Sequence, residues 1–293
     1  MRADRSSRTA EFMALFRALE SVRLPASARL FDDPFARAFL RPSLRAVVGF
    51  SRVPVMGSMV PRYIDRRWPG ARSSGIARTR LIDDLLRDAL REGIEQVVIL
   101  GAGFDCRAYR IAGIERCRVF EVDHPATQAA KTARLRLVLG ELPVHVVFVA
   151  LDFGQQTLDR AMDASGFDRA ARTVCIWEGV TNYLTEEAVD ATLRHFATAA
   201  PGSRLLFTYV HRGLLDGSAA FEGTEELVAT LERADEPWTF GIDPVGLPAF
   251  LATRGLALAA DMGAADYRAR YLGRAMSGYE FYRAAVAEVR GGA

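Results

Sequence analysis

Two glycines and two acidic residues have the spacing of a nucleoside-binding site. Gly101 and Gly103 follow a short apolar run at residues 96–100, and Glu121 and Asp123 close the next apolar run twenty residues further on. Glycine allows a backbone to approach a ligand closely, and the free N–H groups at the start of a helix can donate to it. An acidic residue at the end of the second strand can accept hydrogen bonds from ribose hydroxyls. These residues predict a crevice that binds a nucleoside cofactor.

The residues after the glycine turn indicate which cofactor this is. The fingerprint of dinucleotide-binding proteins has a third glycine where Cys106 stands here, and Asp105 precedes it. A carboxylate beside the turn would repel a pyrophosphate, whereas it suits a cationic cofactor without phosphates. We therefore expect S-adenosylmethionine rather than NAD. The alternative is a tight turn in a Rossmann-like sheet that binds no cofactor.

Three further residues at predicted strand ends fit the same cofactor. Asp152 can accept from the adenine amine and Phe153 can pack against the ring, because both follow an apolar run at residues 144–150. Glu178 follows a similar run, and a carboxylate is seldom buried without a cationic partner. The cofactor ammonium or an arginine would supply that partner. The simpler alternatives are a solvated Asp152 and a surface Glu178.

The elements that must position these residues alternate between strands and helices. We predict strands at residues 96–100, 118–122, 144–150, 173–177, 203–210, 256–261 and 278–286. This alternation predicts an α/β fold with a mostly parallel sheet covered on both faces. Residues 1–75 predict a helical N-terminal extension, and residues 211–243 interrupt the alternation as an insertion. We interpret residues 1–293 as one domain in which these two segments form a cap over the substrate.

Composition and charge exclude several other classes. The 293 residues have a net charge of +2, and the 16 arginines of residues 1–80 are dispersed among apolar positions, so we expect no nucleic-acid partner. Three cysteines without a CxxC pair predict a reduced, cytoplasmic protein. No apolar run has the length of a membrane helix, so we expect no membrane partner. The four histidines lack metal-ligand spacing, so we expect no metal.

Seven motifs, in order along residues 7–184, resemble the leucine carboxyl methyltransferase-like family of S-adenosylmethionine-dependent methyltransferases. They are SRTAEF (7–12), LFDDPFA (30–36), ARTRLIDD (77–84), QVVILGAGFDCRAYR (96–110), VFEVDHP (119–125), LDF (151–153) and WEGVTNYL (177–184). The bacterial branch of this family includes many proteins described as O-methyltransferases of secondary metabolism. The resemblance implies a class I Rossmann-like methyltransferase fold with a seven-stranded sheet.

The same resemblance implies roles for individual residues. Arg78 would bind the methionine carboxylate of the cofactor, a task that suits a bidentate guanidinium. Asp123, or alternatively Glu121, would hold the ribose, and Glu178 would face the cofactor ammonium or line the reaction site. The remaining cofactor-binding residues and two tyrosines near the active centre are Gly101, Gly103, Asp105, Asp152, Phe153, Tyr183 and Tyr209.

The chemistry of the acceptor decides whether a general base is needed. A carboxylate is ionised at pH 7 and needs only a positive group such as Arg212, whereas a phenol or alcohol benefits from a base. His211, just after the fifth predicted strand, is the histidine best placed for that task. A histidine in a surface turn is the simpler alternative.

Together these patterns predict an S-adenosylmethionine-dependent methyltransferase that O-methylates a small-molecule carboxylate or hydroxyl in bacterial secondary metabolism. The alternatives among methyltransferases are C-methylation of an activated carbon, such as that of a keto acid, methylation of a peptide or protein C-terminal carboxylate, and RNA methylation. An NAD dehydrogenase and a module that binds the cofactor without turnover are the alternatives from other classes.

Overall fold

Seven strands form one sheet at the centre of the molecule. The computed structural model describes residues 8–53, 57–152, 156–222, 224, 227, 230–231, 237–273 and 277–291. Within these residues the strands are β1 (Gln96–Leu100), β2 (Arg118–Asp123), β3 (Val146–Ala150), β4 (Thr173–Trp177), β5 (Arg204–Val210), β6 (Leu256–Gly263) and β7 (Tyr282–Val289). Their order across the sheet is β3-β2-β1-β4-β5-β7-β6.

The direction of the strands confirms the predicted mostly parallel α/β sheet. Strands β1 to β5 pair in parallel, and β7 runs antiparallel to both β5 and β6. All five residues of β1 are buried, as expected for a central strand covered on both faces. The chain order reverses between β1 and β4, and in open α/β sheets ligands bind at the carboxyl ends of the strands beside such a reversal.

Helices cover the sheet and form most of the N-terminal segment. They are α1 (Arg8–Arg23), α2 (Pro42–Phe50), α3 (Met59–Arg67), α4 (Ala71–Arg91), α5 (Arg107–Arg110), α6 (Pro125–Leu139), α7 (Leu158–Ala164), α8 (Glu186–Phe196), α9 (Arg212–Asp216), α10 (Leu247–Ala252) and α11 (Ala264–Leu272). Pro125 is the first residue of α6, where its fixed φ and missing N–H cost nothing. None of the helices in the described part of the chain has the length and apolar character needed to cross a bilayer.

The apolar core continues from the sheet into the N-terminal segment. Ile82 and Leu86 of α4 pack against one face of β1, and a separate cluster joins α1 to the residues after the glycine turn. In that cluster the ring of Phe39 stacks on Phe104, with ring centroids 4.8 Å apart. This packing holds α1 over the carboxyl ends of the central strands.

The predicted strands agree with the observed ones except at a few ends. The last strand begins at Tyr282 rather than at residue 278, because Gly278 and Tyr279 have φ values of +87° and +67° and turn the chain before it. The third begins at Val146 rather than at residue 144, since Val144 is fully exposed. Ten of the 33 residues of the predicted insertion at residues 211–243 lie outside the described residues.

Candidate active site

A cavity of about 710 Å³ lies at the carboxyl ends of β1, β2 and β4. The loops after these strands line it together with α1, α3 and described residues between 227 and 239. The cavity therefore collects most of the residues that the sequence predicts to be functional. These are Arg78, Gly101, Gly103, Asp105, Asp123, Asp152, Glu178 and Tyr183.

The glycine turn has a backbone conformation that other residues rarely adopt. Gly101 and Gly103 have φ values of +64° and +39°. A Cβ atom at Gly101 would lie only 2.4 Å from Cγ2 of Val180, so glycine is required there for space as well as for conformation. The N–H of Gly103 donates to Oδ2 of Asp123 at 2.5 Å, which ties the turn to the end of β2.

Asp123 lines the cavity and Glu121 does not. Asp123 accepts from the backbone N–H groups of Gly103 and His124, and each of its oxygens keeps a lone pair for a ligand. Burial raises the pKa of Asp123, although these two donors oppose the rise. Glu121 lies two residues earlier, about 6.6 Å deeper in the sheet, and is buried 2.8 Å from Nζ of Lys131. Of the two alternatives for the ribose, the structure therefore favours Asp123.

Glu178 has two arginines as its cationic partners. Nε of Arg78 donates to Oε1 at 2.8 Å, and Nη1 of Arg107 donates to Oε2 at 2.9 Å. Burial alone would raise the pKa of Glu178, but Arg107 and Arg78 outweigh it and hold the pKa below its usual value. The guanidinium of Arg78 also stacks over the ring of Tyr282, 4.4 Å from its centroid. Within the protein itself, arginines rather than the cofactor ammonium are therefore the cationic partners of Glu178.

A buried chain of alternating charges continues from Glu178 to the N-terminal segment. Its members, in order, are Glu178, Arg107, Asp83, Arg110, Asp33 and Arg17, and Asp105 pairs with Arg107 as a side branch. At its far end Arg17 donates through Nη2 to the carbonyl oxygen of Phe104 at 2.5 Å. Burial would raise the pKa of Asp105, but Arg107 and the other nearby cations lower it to about 2. The network therefore fixes α1 and the glycine turn relative to each other.

Asp152, which the sequence predicts to accept from the adenine amine, lines the cavity. It is the second residue after β3, and Leu151 between them is buried and also lines the cavity. A carboxylate and an apolar side chain at one strand end can accept from an amine and contact a ring. Phe153, the other half of that prediction, lies outside the described residues.

Aromatic rings form a large part of the remaining cavity surface. We call Tyr183, Trp238, Tyr279 and Tyr282 the aromatic wall, because each contacts another member at a centroid distance of 6.2–6.4 Å and all four line the cavity. The hydroxyl of Tyr183 donates to Oγ1 of Thr9 at 3.4 Å, so α1 meets the wall at this point. Tyr183 is thus in the cavity, as the resemblance implies.

The structure does not bring Tyr209 or His211 to the cavity. Tyr209 is fully buried on one face of β5, where its hydroxyl donates to Oδ2 of Asp261 at 2.9 Å. His211 precedes α9 as its N-cap, and its Nδ1 accepts from the N–H of Gly213 at 2.9 Å, so the ring serves as a helix cap. Neither lines the cavity, and the exposed Arg212 does not line it either. The prediction of His211 as a general base and of Tyr209 near the active centre is therefore corrected.

Sequence reasoning missed three residues that shape the cavity. Arg107 holds Glu178, and a signal existed, since an arginine two positions after Asp105 can pair with an acid near the turn. Asn182 and Trp238 both line the cavity with buried polar atoms. Asn182 lies inside the quoted motif WEGVTNYL, where an amide among apolar residues is a visible signal. Trp238 carries no such signal, because only the fold brings it there.

The polar part of the cavity fits S-adenosylmethionine. Its donors and acceptors match a nucleoside joined to an amino acid: a carboxylate at the end of β2, a second at the end of β3, and a buried guanidinium. The Nη nitrogens of Arg78 have no carboxylate partner among the described residues, which leaves them for a ligand carboxylate. The carboxylate of Asp105 beside the turn disfavours a pyrophosphate in the same place.

Comparison with known proteins agrees with this chemistry. A model of the leucine carboxyl methyltransferase family matches residues 10–197, which is more than half of the chain. A Streptomyces coelicolor protein named "Putative S-adenosyl-L-methionine-dependent methyltransferase" is 37% identical over 240 residues, which cover 80% of this chain and 81% of that protein. A relative of the same description from Frankia alni is 35% identical over 244 residues and covers 80% of each chain.

The fold is also found in solved structures. A crystal structure titled as a putative methyltransferase from Thermobifida fusca has a TM-score of 0.60 at 15% identity and covers 97% of this chain and 98% of its own. A DUF574 family protein from Streptomyces avermitilis has a TM-score of 0.58 at 14% identity and covers 97% of each chain. These likenesses show the fold, and the sequence matches show the family. The chain belongs to the leucine carboxyl methyltransferase family and is an S-adenosylmethionine-dependent methyltransferase.

Proposed function

We propose that this enzyme transfers the methyl group to an oxygen atom, a hydroxyl or a carboxylate, of a small and largely apolar molecule in bacterial secondary metabolism. The observation that carries the proposal is that one cavity of about 710 Å³ is lined both by the cofactor-binding candidates and by the aromatic wall. This volume is within the range of small-molecule sites. The name of the family, which denotes methylation of a carboxyl group, supports oxygen as the accepting atom.

In this proposal each polar residue holds one part of the cofactor. The backbone of Gly101 and Gly103 lies under the amino-acid part, and Asp123 accepts from the ribose hydroxyls. Asp152 accepts from the adenine amine. Arg78 binds the methionine carboxylate through its Nη nitrogens while Glu178 holds its Nε side.

The bound cofactor supplies an electrophilic methyl group on a sulfonium, and the chain supplies alignment and a dry site. The N-terminal segment and the insertion act as the cap of a single domain. Met13 of α1 supports this role, because its sulfur lies 3.7 Å from Nη2 of Arg78. Leu227 and Leu231 of the insertion line the same cavity, so they help to exclude water from the acceptor.

The nature of the accepting atom can be tested with acceptors that differ in one group. Dihydroxynaphthalene, hydroxynaphthoic acid and aminonaphthol are incubated with methyl-labelled S-adenosylmethionine, and the products are identified by mass spectrometry and NMR. The proposal expects the label on oxygen, as an alkali-stable ether or an alkali-labile ester. Label found on nitrogen or on a ring carbon instead would overturn it.

A further inference from the structure

Two buried polar atoms in the cavity surface are used by none of the interactions described above. Oδ1 of Asn182 and Nε1 of Trp238 are shielded from solvent, and neither has a hydrogen-bond partner among the described residues. Asn182 is 1% exposed, and both Asn182 and Trp238 line the cavity. Buried polar groups in native proteins are almost always paired, so these two atoms indicate a missing ligand group.

The two residues belong to segments that meet at the cavity surface. The backbone N–H of Thr239, the residue after Trp238, donates to the carbonyl oxygen of Asn182 at 2.8 Å. The ring of Trp238 lies edge-on to Tyr183, the residue after Asn182, with centroids 6.4 Å apart. A backbone contact and a ring contact therefore join the two chain segments that carry Asn182 and Trp238.

The surrounding loop satisfies its other polar groups. Oγ1 of Thr181 donates to the carbonyl of Thr208 at 2.6 Å, and Oγ1 of Thr239 donates to the carbonyl of Leu184 at 2.9 Å. Because these hydroxyls and backbone groups are paired, the loop does not lack hydrogen-bond partners in general. Of the eight buried side-chain atoms without a hydrogen-bond partner among the described residues, the amide oxygen and the indole N–H are the two whose residues line the cavity.

The chemistry of the pair selects the group that would complete it. The amide oxygen can only accept a hydrogen bond, and the indole N–H can only donate one. A hydroxyl does both at once, whereas a carboxylate has no hydrogen to donate and would place negative charge against the amide oxygen. The aromatic wall beside the pair suits a planar ring as the carrier of that hydroxyl.

We propose that Asn182 and Trp238 form a specificity subsite that binds a neutral hydroxyl group on an aromatic acceptor. The hydroxyl donates to Oδ1 of Asn182 and accepts from Nε1 of Trp238. This inference rests on the proposed function, because it names the class of acceptor for the same cavity. It separates hydroxyl-bearing aromatic acceptors from aromatic carboxylates, both of which the proposed function admits.

The subsite can be tested by binding alone, without turnover. Three probes, 2-naphthol, 2-naphthoate and 2-methoxynaphthalene, are titrated calorimetrically into protein saturated with S-adenosylhomocysteine. We expect 2-naphthol to bind within the ordinary range of substrate affinities, about 1 μM to 1 mM, and at least about fivefold more tightly than either other probe. The methoxy compound can accept from Trp238 but cannot donate to Asn182, so it isolates the amide contact.

Substitutions then assign the two contacts. Asn182→Leu should weaken 2-naphthol about fivefold to tenfold and leave 2-methoxynaphthalene nearly unchanged, whereas Trp238→Phe should weaken both. Trp68→Phe is the matched control, because it removes an indole N–H from the same cavity but Nε1 of Trp68 is not among the unpaired buried atoms. This variant should leave the ratio of the affinities for 2-naphthol and 2-methoxynaphthalene unchanged.

Equal affinity for 2-naphthol and 2-naphthoate, tighter binding of 2-naphthoate, or no saturable binding of 2-naphthol would each overturn the subsite. So would an Asn182→Leu variant whose probe affinities match those of the unmodified protein. None of these results tests O-methylation itself. The position of the methyl label in the product, described above, tests that proposal. The two proposals therefore fail separately.

Discussion

At the residue scale, Arg78 lies between the part of the cavity proposed to hold the cofactor and the aromatic wall. Its Nε side is held by Glu178 and its face by Tyr282, so the guanidinium is fixed before any ligand binds. Arg78→Ala should weaken S-adenosylhomocysteine binding by about 2 kcal/mol, or roughly thirtyfold, because a charge-assisted pair with the ligand carboxylate is lost. Calorimetric titration measures the change.

Arg80→Ala is the matched control for that substitution. Arg80 is on the same helix, but it is partly exposed, pairs with Asp84 and does not line the cavity. Its removal should leave S-adenosylhomocysteine affinity unchanged. Equal affinity losses in both variants would mean that Arg78 acts through the stability of α4 and not through the ligand.

Also at the residue scale, substitutions of Asp123 and Glu121 should have different effects. The first should mainly weaken cofactor binding, and the second should mainly lower the stability of the fold. Asp123→Asn should weaken S-adenosylhomocysteine about tenfold, since the site loses charge and one acceptor position, and it should cost only about 1 kcal/mol of unfolding free energy for the backbone hydrogen bond that its amide nitrogen cannot accept. Glu121→Gln should lower the free energy of unfolding by about 3 kcal/mol, because Lys131 is left buried without its counter-charge. Urea unfolding and calorimetric titration of both variants check the two effects, and the reversed pattern would contradict the assignment.

At the scale of elements, the glycine turn depends on space as well as on conformation. Gly101→Ala should cost about 1–3 kcal/mol of unfolding free energy, since its Cβ would meet Val180 and φ is positive. Gly140→Ala is the control, because Gly140 also has a positive φ, +80°, but has nothing within 4 Å of its added Cβ. It should cost only the conformational part, about 1 kcal/mol.

A second substitution identifies the clash at the turn. In the double variant Gly101→Ala with Val180→Ala, the shortened side chain at 180 removes the 2.4 Å contact and should restore part of the lost stability. Thermal unfolding of the four proteins gives the coupling between the two positions. Strictly additive losses would show that the cost is conformational alone.

The strands were predictable from the sequence because short apolar runs that end in glycine or an acid are a local signal. Once β1, β2 and β4 are placed in a parallel sheet, their carboxyl ends must meet, which brings Gly101, Asp123 and Glu178 together. The directions of the side chains on β5 were not predictable in this way. Tyr209 turned to Asp261 on β6, and that contact depends on the antiparallel β7 between them.

Ion-pair and hydrogen-bond partners that come from distant segments could not be predicted from the sequence either. The burial of Glu178 predicts a cationic partner but does not identify it. In the structure two arginines, one from α4 and one from α5, both pair with Glu178. Trp238 lies at the cavity next to Thr239, whose backbone pairs with the loop after β4. Long-range pairings of this kind leave no local periodicity from which to infer them.

At the scale of the whole molecule, the buried charge chain makes stability depend on pH. The pKa of Asp105 is about 2 in the folded protein and about 3.9 in an unfolded chain, so its contribution is complete above pH 5 and is lost as the pH falls toward 2. The raised pKa values of Glu121 and Asp123 act in the opposite sense. Comparison with a variant is therefore needed to isolate Asp105.

Asp105→Asn provides that comparison. The difference in unfolding free energy between the unmodified protein and this variant should shrink by about 1 kcal/mol between pH 6 and pH 3, because at the lower pH Asp105 is mostly protonated in the unfolded chain but mostly ionised in the folded protein. Urea unfolding at the two pH values measures it. A difference that stays constant, or grows toward acid, would show that Arg107 does not depress the pKa of Asp105.

The account as a whole depends on one cavity that takes a cationic, phosphate-free nucleoside cofactor at its polar side. Calorimetric titration of the unmodified protein with S-adenosylhomocysteine, and separately with NAD, tests this most directly. We predict one site per chain with micromolar affinity for S-adenosylhomocysteine and no measurable heat with NAD. Tight binding of NAD, or failure of both S-adenosylhomocysteine and S-adenosylmethionine to bind, would contradict the account.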